Sequence, residues 1–266
     1  MLALAKGNYL ARVAEAGADV LRAQDLRWRA FRAAQHLGRG GRDADDFDRL
    51  CRHLLVEERQ TGRLVAAARL LPLADGREIG RSYSARHYDL SGLASWPGRM
   101  MELGRFCLDP GCHDPDVIRI AWGAVTRLVD AEGAGMLFGC SSFPGTDAAP
   151  YRDVFAMLGA RHRAPERWLP KVKAPRVVRF GGEAGPGLGR DRGREFDRGR
   201  GPSAGDAGRA PMRALPPLLK SYLAMGGWVG DHAVVDDDLG TLHVFTAVEV
   251  ARIPPARARA LRVLAG

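Results

Sequence analysis

Residues 43–56 read Asp-Ala-Asp-Asp-Phe-Asp-Arg-Leu-Cys-Arg-His-Leu-Leu-Val, so four aspartates lead directly into an apolar run. The apolar run predicts a buried β-strand. Carboxylates repel one another and are costly to bury unless cations face them, and the fold should therefore bring arginines to this point. We expect the segments that carry four candidate arginines to converge with the aspartates on one site: Arg27, Arg29, Arg69 and Arg105.

The segment after the aspartates predicts a β-hairpin. Residues 53–58 and 63–71 are largely apolar and are separated by Arg-Gln-Thr-Gly at 59–62. Upstream, residues 18–37 show an imperfect helical stripe of apolar side chains. Downstream, residues 99–108 predict a third strand, which Asp-Pro-Gly ends.

Asp114-Pro115 predicts the start of a helix, with the aspartate as N-cap and the proline at the first helical position. Apolar residues follow at helical spacing up to Leu128. Periodicity and composition predict further elements downstream, which are a strand at 135–143, a helix at 151–158, a helix at 215–225, strands at 228–235 and 242–248, and a helix at 257–264.

This order of elements predicts an α/β fold with a mixed, mostly antiparallel sheet flanked by helices, in which one helical crossover gives a parallel pair of strands. We expect a single domain over residues 17–266. Residues 1–16 are loosely apolar and have no clear caps, which indicates a flexible leader. Residues 181–213 contain ten glycines, seven arginines and hardly any large apolar side chains, so they predict a flexible insertion.

The net charge of +9 and the pI near 9.9 favour an acidic partner, which could be nucleic acid, anionic lipid or an acidic carrier protein. The insertion at 181–213 could bind RNA, but it lacks regular repeats and interleaved aromatic residues, and acids are mixed into it. A basic nucleic-acid-binding protein would also leave the aspartates at 43–48 unexplained. We therefore expect no specific nucleic-acid partner.

The sequence has no apolar run near the roughly 20 residues that span a bilayer, and its N-terminus has no signal-peptide pattern, so we expect a cytoplasmic protein. Its four cysteines are sparse and suit reduced thiols better than disulfides. Cys107, Cys112 and His113 lack the paired spacing of a zinc site, and no metal is expected.

Several motifs follow one another in an order that is typical of a known family: Asp46-x-Asp48, Cys51-Arg-His53-Leu-Leu-Val56, Arg69-Leu-Leu, Glu102-Leu-Gly-Arg105-Phe-Cys107, Leu137-Phe-Gly-Cys140-Ser-Ser-Phe143, Pro217-Leu-Leu-Lys-Ser-Tyr222-Leu and Asp236-Asp-Asp238-Leu. In this order they resemble the bacterial L-ornithine N-alpha-acyltransferases. The resemblance runs from about residue 26 to residue 248 and leaves out the leader and the insertion.

The resemblance implies a GNAT-type fold and the transfer of a 3-hydroxyacyl chain from acyl carrier protein to the α-amino group of L-ornithine. The product would be lyso-ornithine lipid, which implies peripheral contact with the inner face of the cytoplasmic membrane. No resident cofactor is implied, because the phosphopantetheine arrives on the carrier protein. In place of the pyrophosphate-binding loop of most GNAT enzymes, this chain has Pro110-Gly-Cys-His-Asp114, which suits a carrier-protein donor.

The chain is also distantly similar to acyl-homoserine lactone synthases, through Arg27-x3-Phe31, Asp45-x2-Asp48, Arg69, Glu102 and Arg105. That pattern has a tryptophan six residues after the phenylalanine, where this chain has Leu37. The difference favours the ornithine enzyme over the synthase.

Acyl transfer from a thioester to an amine needs a neutral amine and donors for the oxyanion. Glu102 and Arg105 are the predicted catalytic residues. Glu102 is either the general base or the ion-pair partner of Arg105 or Arg69, and the sequence leaves both open. Backbone N–H groups near residues 103–106 would serve the oxyanion if the strand bulges there.

The remaining predicted site residues bind substrate: Arg27, Phe31, Asp45, Asp46, Asp48, Arg69, Ser141 and Ser142. Ornithine requires an arginine for its carboxylate and carboxylates for its second ammonium. The aspartates either supply that acidic side or organise the arginines, and we favour the second role for Asp48. The spacing of Arg27 and Phe31 also fits a surface arginine above a core phenylalanine, which the spacing alone favours.

Three further interpretations concern other parts of the chain. His232-x4-Asp237 matches an O-acyltransferase pattern but reads as a strand that runs into a turn, so no ester-forming activity is expected. Asp236 and Asp238 are interpreted as turn residues. Arg119 and Arg127, on the helix after Asp114, are expected to contribute to a basic face that binds the carrier protein.

Overall fold

The computed structural model describes residues 3–33, 41–180 and 212–266. Leu37 and residues 181–211 of the predicted insertion lie outside these ranges. Among the helices of the described ranges, none is long and apolar enough to cross a membrane.

Eleven strands are present in the described residues: β1 (Ala3–Lys6), β2 (Tyr9–Val13), β3 (Arg52–Glu58), β4 (Leu64–Leu73), β5 (Tyr88–Asp89), β6 (Met100–Leu108), β7 (Met136–Pro144), β8 (Lys171–Val172), β9 (Val177–Arg179), β10 (Trp228–Asp236) and β11 (Thr241–Glu249). Nine of them form one sheet in the order β1-β2-β3-β4-β6-β7-β11-β10-β9, while β5 pairs only with β8. Every pair in the large sheet is antiparallel except β6 and β7, which run parallel. The predicted mixed, mostly antiparallel sheet with one parallel pair is confirmed.

Six α-helices are present in the same ranges: α1 (Gly17–Phe31), α2 (Ser84–His87), α3 (Pro115–Glu132), α4 (Arg152–Arg161), α5 (Pro217–Ala224) and α6 (Pro255–Ala265). The crossover helix α3 begins as predicted, because the Asp114 carboxylate accepts a hydrogen bond of 2.8 Å from the Asp116 N–H and Pro115 is the first helical residue. It ends at Gly133, whose φ of 60° favours glycine. α1 is shorter than predicted and ends at Phe31.

The helices divide the sheet into two faces. α3, α5 and α6 pack on one side, which we call the α3 face, and Leu103 lies in that core. α1 and the irregular residues 74–98 pack on the other side, which we call the α1 face, and Met100 lies there under residues 74–98. Because side chains alternate along a strand, Glu102 shares the α1 face with Met100.

The predicted flexible leader is wrong for residues 3–13. β1 and β2 form a hairpin, and β2 pairs with β3 from Tyr9 to Val13. Leu4 and Ala11 are buried in the α3-face core. The signal in the sequence was the Gly7-Asn8 turn, with φ of 55° at Gly7, rather than any helix cap.

The parallel pair is short, and its end creates the main irregularity of the sheet. Residues 100–103 of β6 pair with residues 136–139 of β7, and the pairing stops at Leu103 and Gly139. Beyond this point β6 stays with β4 and β7 stays with β11, so the two strands separate. We call the space between them the cleft. The bulge expected near residues 103–106 is present, since the register with β4 shifts there and Arg105 adopts a φ of 50°.

Gly139 is required where the strands separate, because a Cβ at this position would collide with the carbonyl oxygen of Leu103. We expect Gly139→Ala to lower the free energy of unfolding by about 1–3 kcal/mol through overpacking against a backbone that cannot move aside. Thermal unfolding with Gly104→Ala as control measures this, since a Cβ at Gly104 meets nothing within 4 Å. Equal unfolding temperatures for the two variants would contradict the close approach of the strands.

Candidate active site

Charged side chains from α1, the loop before β3, β4 and β6 meet on the α1 face beside the cleft. We call this group the ion cluster, and it consists of Arg27, Arg32, Arg69, Arg105, Asp43, Asp45 and Asp48. The predicted convergence of arginines on the aspartates is therefore present. Arg29 is not part of it, because its guanidinium is exposed and pairs with Asp109 at 3.1 Å.

Arg27 lies at the centre of the ion cluster. Its Nε is 3.1 Å from Asp43 Oδ2, its Nη1 is 2.9 Å from Asp48 Oδ1, and it also donates to the Asp43 carbonyl. Its side chain is 1% exposed, so the interpretation as a surface arginine is wrong. Phe31 is partly buried against the apolar residues under α1. Arg27 therefore fixes the helix to the aspartate loop, a role that the spacing alone did not indicate.

Arg69 and Arg105 connect the same loop to the sheet. Arg69 pairs with Asp45 and lies 3.2 Å from Asp48. Arg105 Nε is 3.0 Å from Asp43 Oδ2, and its Nη2 is 3.6 Å from Asp45. The strained backbone at Arg105 therefore directs its guanidinium into the ion cluster.

The aspartates also shape the short 3-10 turn Asp46–Arg49. Asp45 accepts a hydrogen bond of 2.9 Å from the Phe47 N–H, and Asp48 accepts one of 3.3 Å from the Asp45 N–H, which together form a capping box. Asp48 thus organises the arginines, as favoured. Asp46 is exposed and forms no hydrogen bond or ion pair with the described residues, so it lies outside the ion cluster.

Two buried carboxylates of the ion cluster, Asp43 and Asp48, remain charged at neutral pH. Burial would raise the pKa of Asp48, but the hydrogen bonds and charge of Arg27 outweigh burial and lower that pKa to about 2. The pKa of Asp43 is also lowered, because the charges of its arginine neighbours outweigh its burial. These two carboxylates are therefore anions that hold the guanidinium groups in place.

Asp236 and Asp238 differ in role. Asp236 accepts a hydrogen bond of 3.0 Å from the Leu239 N–H, which fits the predicted turn. Asp238 pairs with Arg32 at 2.7 Å and so extends the ion cluster to the β10–β11 turn, a contact that the sequence did not predict.

Glu102 is a buried carboxylate next to the cleft, with an exposed fraction of 4%. Its Oε2 accepts a hydrogen bond of 2.8 Å from the Tyr83 N–H, and its Oε1 accepts bonds from the N–H (2.7 Å) and hydroxyl (2.6 Å) of Ser84. No arginine of the described residues pairs with it, so the ion-pair interpretation is wrong. Burial raises the pKa of Glu102 despite these bonds, so its affinity for a proton exceeds that of an ordinary glutamate.

Ser84 and Tyr83 are functional candidates that sequence reasoning missed. They stand at the start of α2, where unpaired N–H groups are available to a carboxylate. Ser84 Oγ also lies 3.5 Å from Cys140 Sγ. Cys140 is the first residue of β7 after the part that pairs with β6. Burial raises the pKa of Cys140 to about 12, so this thiol is protonated at neutral pH and is not a nucleophile.

Ser141 and Ser142 point to opposite faces of the sheet. Ser142 is exposed on the face that Cys140 occupies. Ser141 is buried on the α3 face, where its Oγ accepts a hydrogen bond of 3.3 Å from Thr246 Oγ1. The two serines, predicted together, therefore cannot line one side of a substrate site.

A second group missed from the sequence lies beside Ser142 and consists of His87, Tyr88, His232 and His243. The rings of His87 and His243 are 4.9 Å apart, and the Tyr88 hydroxyl donates to the His243 carbonyl at 2.8 Å. Burial lowers the pKa of His243 to about 3, so its imidazole is neutral. The neutral His243 imidazole and the Tyr88 hydroxyl thus give this group an uncharged polar surface beside Ser142.

The O-acyltransferase pattern is absent in space. His232 is buried on β10 and contacts Asp231 at 2.7 Å, whereas Asp237 pairs with Arg176 at 2.6 Å. The predicted strand and turn hold these residues apart. In the described part of the chain, no cluster of histidine, cysteine and carboxylate side chains is arranged to hold a metal ion.

The arginines expected to bind a carrier protein differ in their surroundings. Arg119 is 61% exposed near the start of α3 and, among the described residues, pairs only with Asp116, at 2.6 Å. Arg127 donates to the Ala3 carbonyl at 3.1 Å and so holds the N-terminal hairpin. Arg119 is therefore accessible to a partner protein, whereas the Arg127 side chain is bound to the N-terminal hairpin.

Comparison with known proteins bears on the fold and the family of this chain. Residues 26–123 match the family described as acetyltransferase (GNAT) domain, which confirms the predicted fold class. The L-ornithine N(alpha)-acyltransferase of Rhodobacter capsulatus is 34% identical over 262 residues, covering 93% of this chain and 92% of that protein. The protein of the same name from Rhizobium meliloti is 30% identical over 259 residues, covering 92% and 81%.

Solved structures show more distant likeness. The apo form of TofI is 16% identical with a TM-score of 0.42, covering 96% of this chain and 98% of that one. The AHL synthase LasI is 17% identical with a TM-score of 0.36, covering 50% and 72%. At such TM-scores the likeness carries no argument about function. The identity to the curated relatives extends over nearly the whole chain, and the protein is an acyltransferase that belongs to the L-ornithine N(alpha)-acyltransferase family.

Proposed function

We propose that this enzyme transfers a 3-hydroxyacyl chain from an acyl carrier protein to the α-amino group of L-ornithine, which gives lyso-ornithine lipid and the free carrier thiol. The observation that supports this most directly is the buried Glu102, whose pKa is raised, at the point where β6 and β7 separate. The names of the relatives supply the amine acceptor. A lipid product implies peripheral contact with the inner face of the cytoplasmic membrane.

The chemistry needs no enzyme nucleophile. The α-amine attacks the thioester carbonyl, and the carbonyl oxygen takes up negative charge. The C–S bond then breaks and the thiolate leaves, while the nitrogen loses a proton to Glu102. The proton then passes from Glu102 to the thiolate, which gives the free carrier thiol and restores the base. A glutamate with a raised pKa suits this task, because it accepts the proton more readily than an ordinary carboxylate. Backbone N–H groups at the bulge around Arg105 are the donors proposed for the oxyanion.

A carrier-protein donor fits the start of α3. The Asp114 carboxylate occupies this helix end, where it accepts bonds of 2.8 Å from the Asp116 N–H and the Tyr9 hydroxyl. An anion at this position repels a pyrophosphate, which other GNAT enzymes bind there by the resemblance described above. We therefore propose that phosphopantetheine arrives on the carrier and that the enzyme has no resident cofactor.

For ornithine, the ion cluster offers one accessible edge. Asp45 is 25% exposed, whereas Asp43 and Asp48 are nearly fully buried, and Arg105 contacts Asp45 loosely at 3.6 Å. We propose that Asp45 and Arg105 bind the side-chain ammonium and the carboxylate of ornithine. Arg27, Arg69 and Asp48 are proposed to position these two residues.

Replacement of Glu102 tests the base. We expect Glu102→Gln to lower turnover by about 100-fold or more, because the amide keeps the shape but cannot accept the proton. In the wild type, kcat/KM should fall as pH falls through the raised pKa of Glu102, since the protonated acid is not a base, and the variant should lose that pH dependence. Steady-state release of the carrier thiol across pH measures both effects.

Glu166→Gln is the matched control, because Glu166 is 79% exposed and pairs only with Arg163. Its rate should equal that of the wild type. If Glu102→Gln also retained the full rate, the base assignment would be wrong.

The acceptor is tested by competition. We expect purified protein, given L-ornithine and S-adenosylmethionine together with a 3-hydroxyacyl carrier protein, to acylate ornithine on its α-nitrogen. Mass spectrometry with fragmentation identifies the amine and the acylated nitrogen. Acyl-homoserine lactone as the main product would instead identify the enzyme as a synthase.

The basic face for the carrier is tested by charge reversal. We expect Arg119→Glu to raise the apparent KM for the carrier severalfold and to leave the KM for ornithine unchanged, because acidic carriers are attracted over long range to a protein of charge +9. Arg262→Glu is the control, since Arg262 is also 61% exposed and paired with an aspartate, but lies near the other end of α3.

Salt gives a second measure of the same attraction. An increase from about 50 to about 500 mM shortens the Debye length from about 14 to about 4 Å and should weaken carrier binding more than ornithine binding. If neither salt nor Arg119→Glu changed the KM for the carrier, the proposed docking face would be wrong.

A further inference from the structure

The Tyr222 hydroxyl is a polar group without an evident role in the fold. Tyr222 lies on α5 with 1% exposure, in the apolar core of the α3 face, and its ring meets the edge of the Trp122 ring at 5.8 Å. Its hydroxyl has no hydrogen-bond partner within the described residues. A buried tyrosine hydroxyl normally has a partner, because burial without one is costly. The hydroxyl can therefore form a hydrogen bond with a ligand that enters this core.

Two further buried hydroxyls face the same side of the sheet. On α5, Leu219 and Tyr222 are one helical turn apart. Leu219 belongs to the same apolar cluster as Val244 of β11, and Tyr222 belongs to the same apolar cluster as Val248 of that strand. Thr246 lies between these two valines on the same face of the strand. Its hydroxyl donates to Ser141 Oγ at 3.3 Å, so hydroxyl groups of β11 and β7 meet on the α3 face, the side of the sheet on which α5 packs.

These hydroxyl groups lie on the α3 face, close to the point where β6 and β7 separate. Ser141 is two residues beyond Gly139, and Leu103, the last paired residue of β6, shares the core of Tyr222. Burial raises the pKa of Tyr222, and the carboxylate of Glu102 across the sheet raises it further, which agrees with its position near the cleft. Beyond the pair, the α3 face is lined by partly buried apolar residues: Phe106, Leu108, Ile118 and Leu218.

An acyl chain whose thioester lies at Glu102 must pass between β6 and β7 to reach these apolar residues. Carbon 3 of the chain is two bonds from the carbonyl carbon, so a hydroxyl on carbon 3 lies between the two strands, ahead of the rest of the chain's apolar tail. We propose that the Tyr222 hydroxyl, supported by Thr246 and Ser141, binds the 3-hydroxyl of the acyl chain and so selects 3-hydroxylated donors. This inference rests on the proposed function and adds the residue that determines donor specificity.

The test compares two donors of equal chain length, one 3-hydroxylated and one unsubstituted. Wild-type protein should have a kcat/KM at least about tenfold higher for the hydroxylated donor, because the unsubstituted chain leaves Tyr222 without a partner. Tyr222→Phe removes only the hydroxyl. It should lower kcat/KM for the hydroxylated donor about tenfold and leave the unsubstituted donor unchanged.

Two controls separate this role from a structural one. Tyr222→Phe should unfold at the same temperature as the wild type or higher, since no hydrogen bond within the described residues is lost. Tyr151→Phe removes a hydroxyl that donates to the Pro144 carbonyl at the surface and should retain the donor preference. Thr246→Val, which removes a supporting hydroxyl, should reduce the preference in part.

Three results would overturn the inference. The first is equal kcat/KM of the wild type for the two donors. The second is an equal loss of activity with both donors in Tyr222→Phe, and the third is an unchanged preference for the hydroxylated donor in that variant. A wild type that acylates ornithine from neither donor would instead contradict the proposed function and the inference with it.

Discussion

The pairing of Arg27 with the carboxylates of Asp43 and Asp48 is the interaction on which the active-site side of this fold depends. It fixes α1 to the aspartate loop, and through Arg69 and Arg105 the same carboxylates are bound to β4 and β6. Loss of one partner would leave a buried charge uncompensated, at a cost of about 3–5 kcal/mol. Because Arg27, Asp43 and Asp48 are buried and paired with one another, this part of the network cannot rearrange easily and forms a rigid side of the neighbouring cleft.

The cleft itself follows from a short parallel pair. α3 returns the chain so that β6 and β7 run in the same direction, but each strand soon follows its other neighbour. Glu102 precedes the point of separation, and the start of α2 holds its two oxygens in place. A buried carboxylate, a bulged strand and two separating strands thus result from one irregularity. The proposed path of the acyl chain runs between these strands to the apolar α3 face, where Tyr222 lies.

Local patterns predicted most of the elements, because alternating and helical periodicity reflect which side of each element is buried. The sequence also predicted that arginines would meet the aspartates, since buried charges of one sign require the other. It could not show that Arg27 is the central member, because its spacing from Phe31 fits a surface position equally well. It also could not find Ser84, which approaches Glu102 only through the path of an irregular segment. Ser141 and Ser142 were grouped by adjacency, although neighbours on a strand face opposite sides.

We propose that acyl transfer takes place where β6 and β7 separate, with the amine next to Glu102. A crystal structure of the protein with bound N-(3-hydroxyacyl)-ornithine would locate the reacting atoms. We expect the amide within hydrogen-bond reach of Glu102 and of the β6 bulge, the ornithine beside Asp45 and Arg105, and the acyl chain between β6 and β7 on its way to the α3 face. An amide bound away from the cleft, with the chain on the outer surface of the sheet, would contradict this proposal.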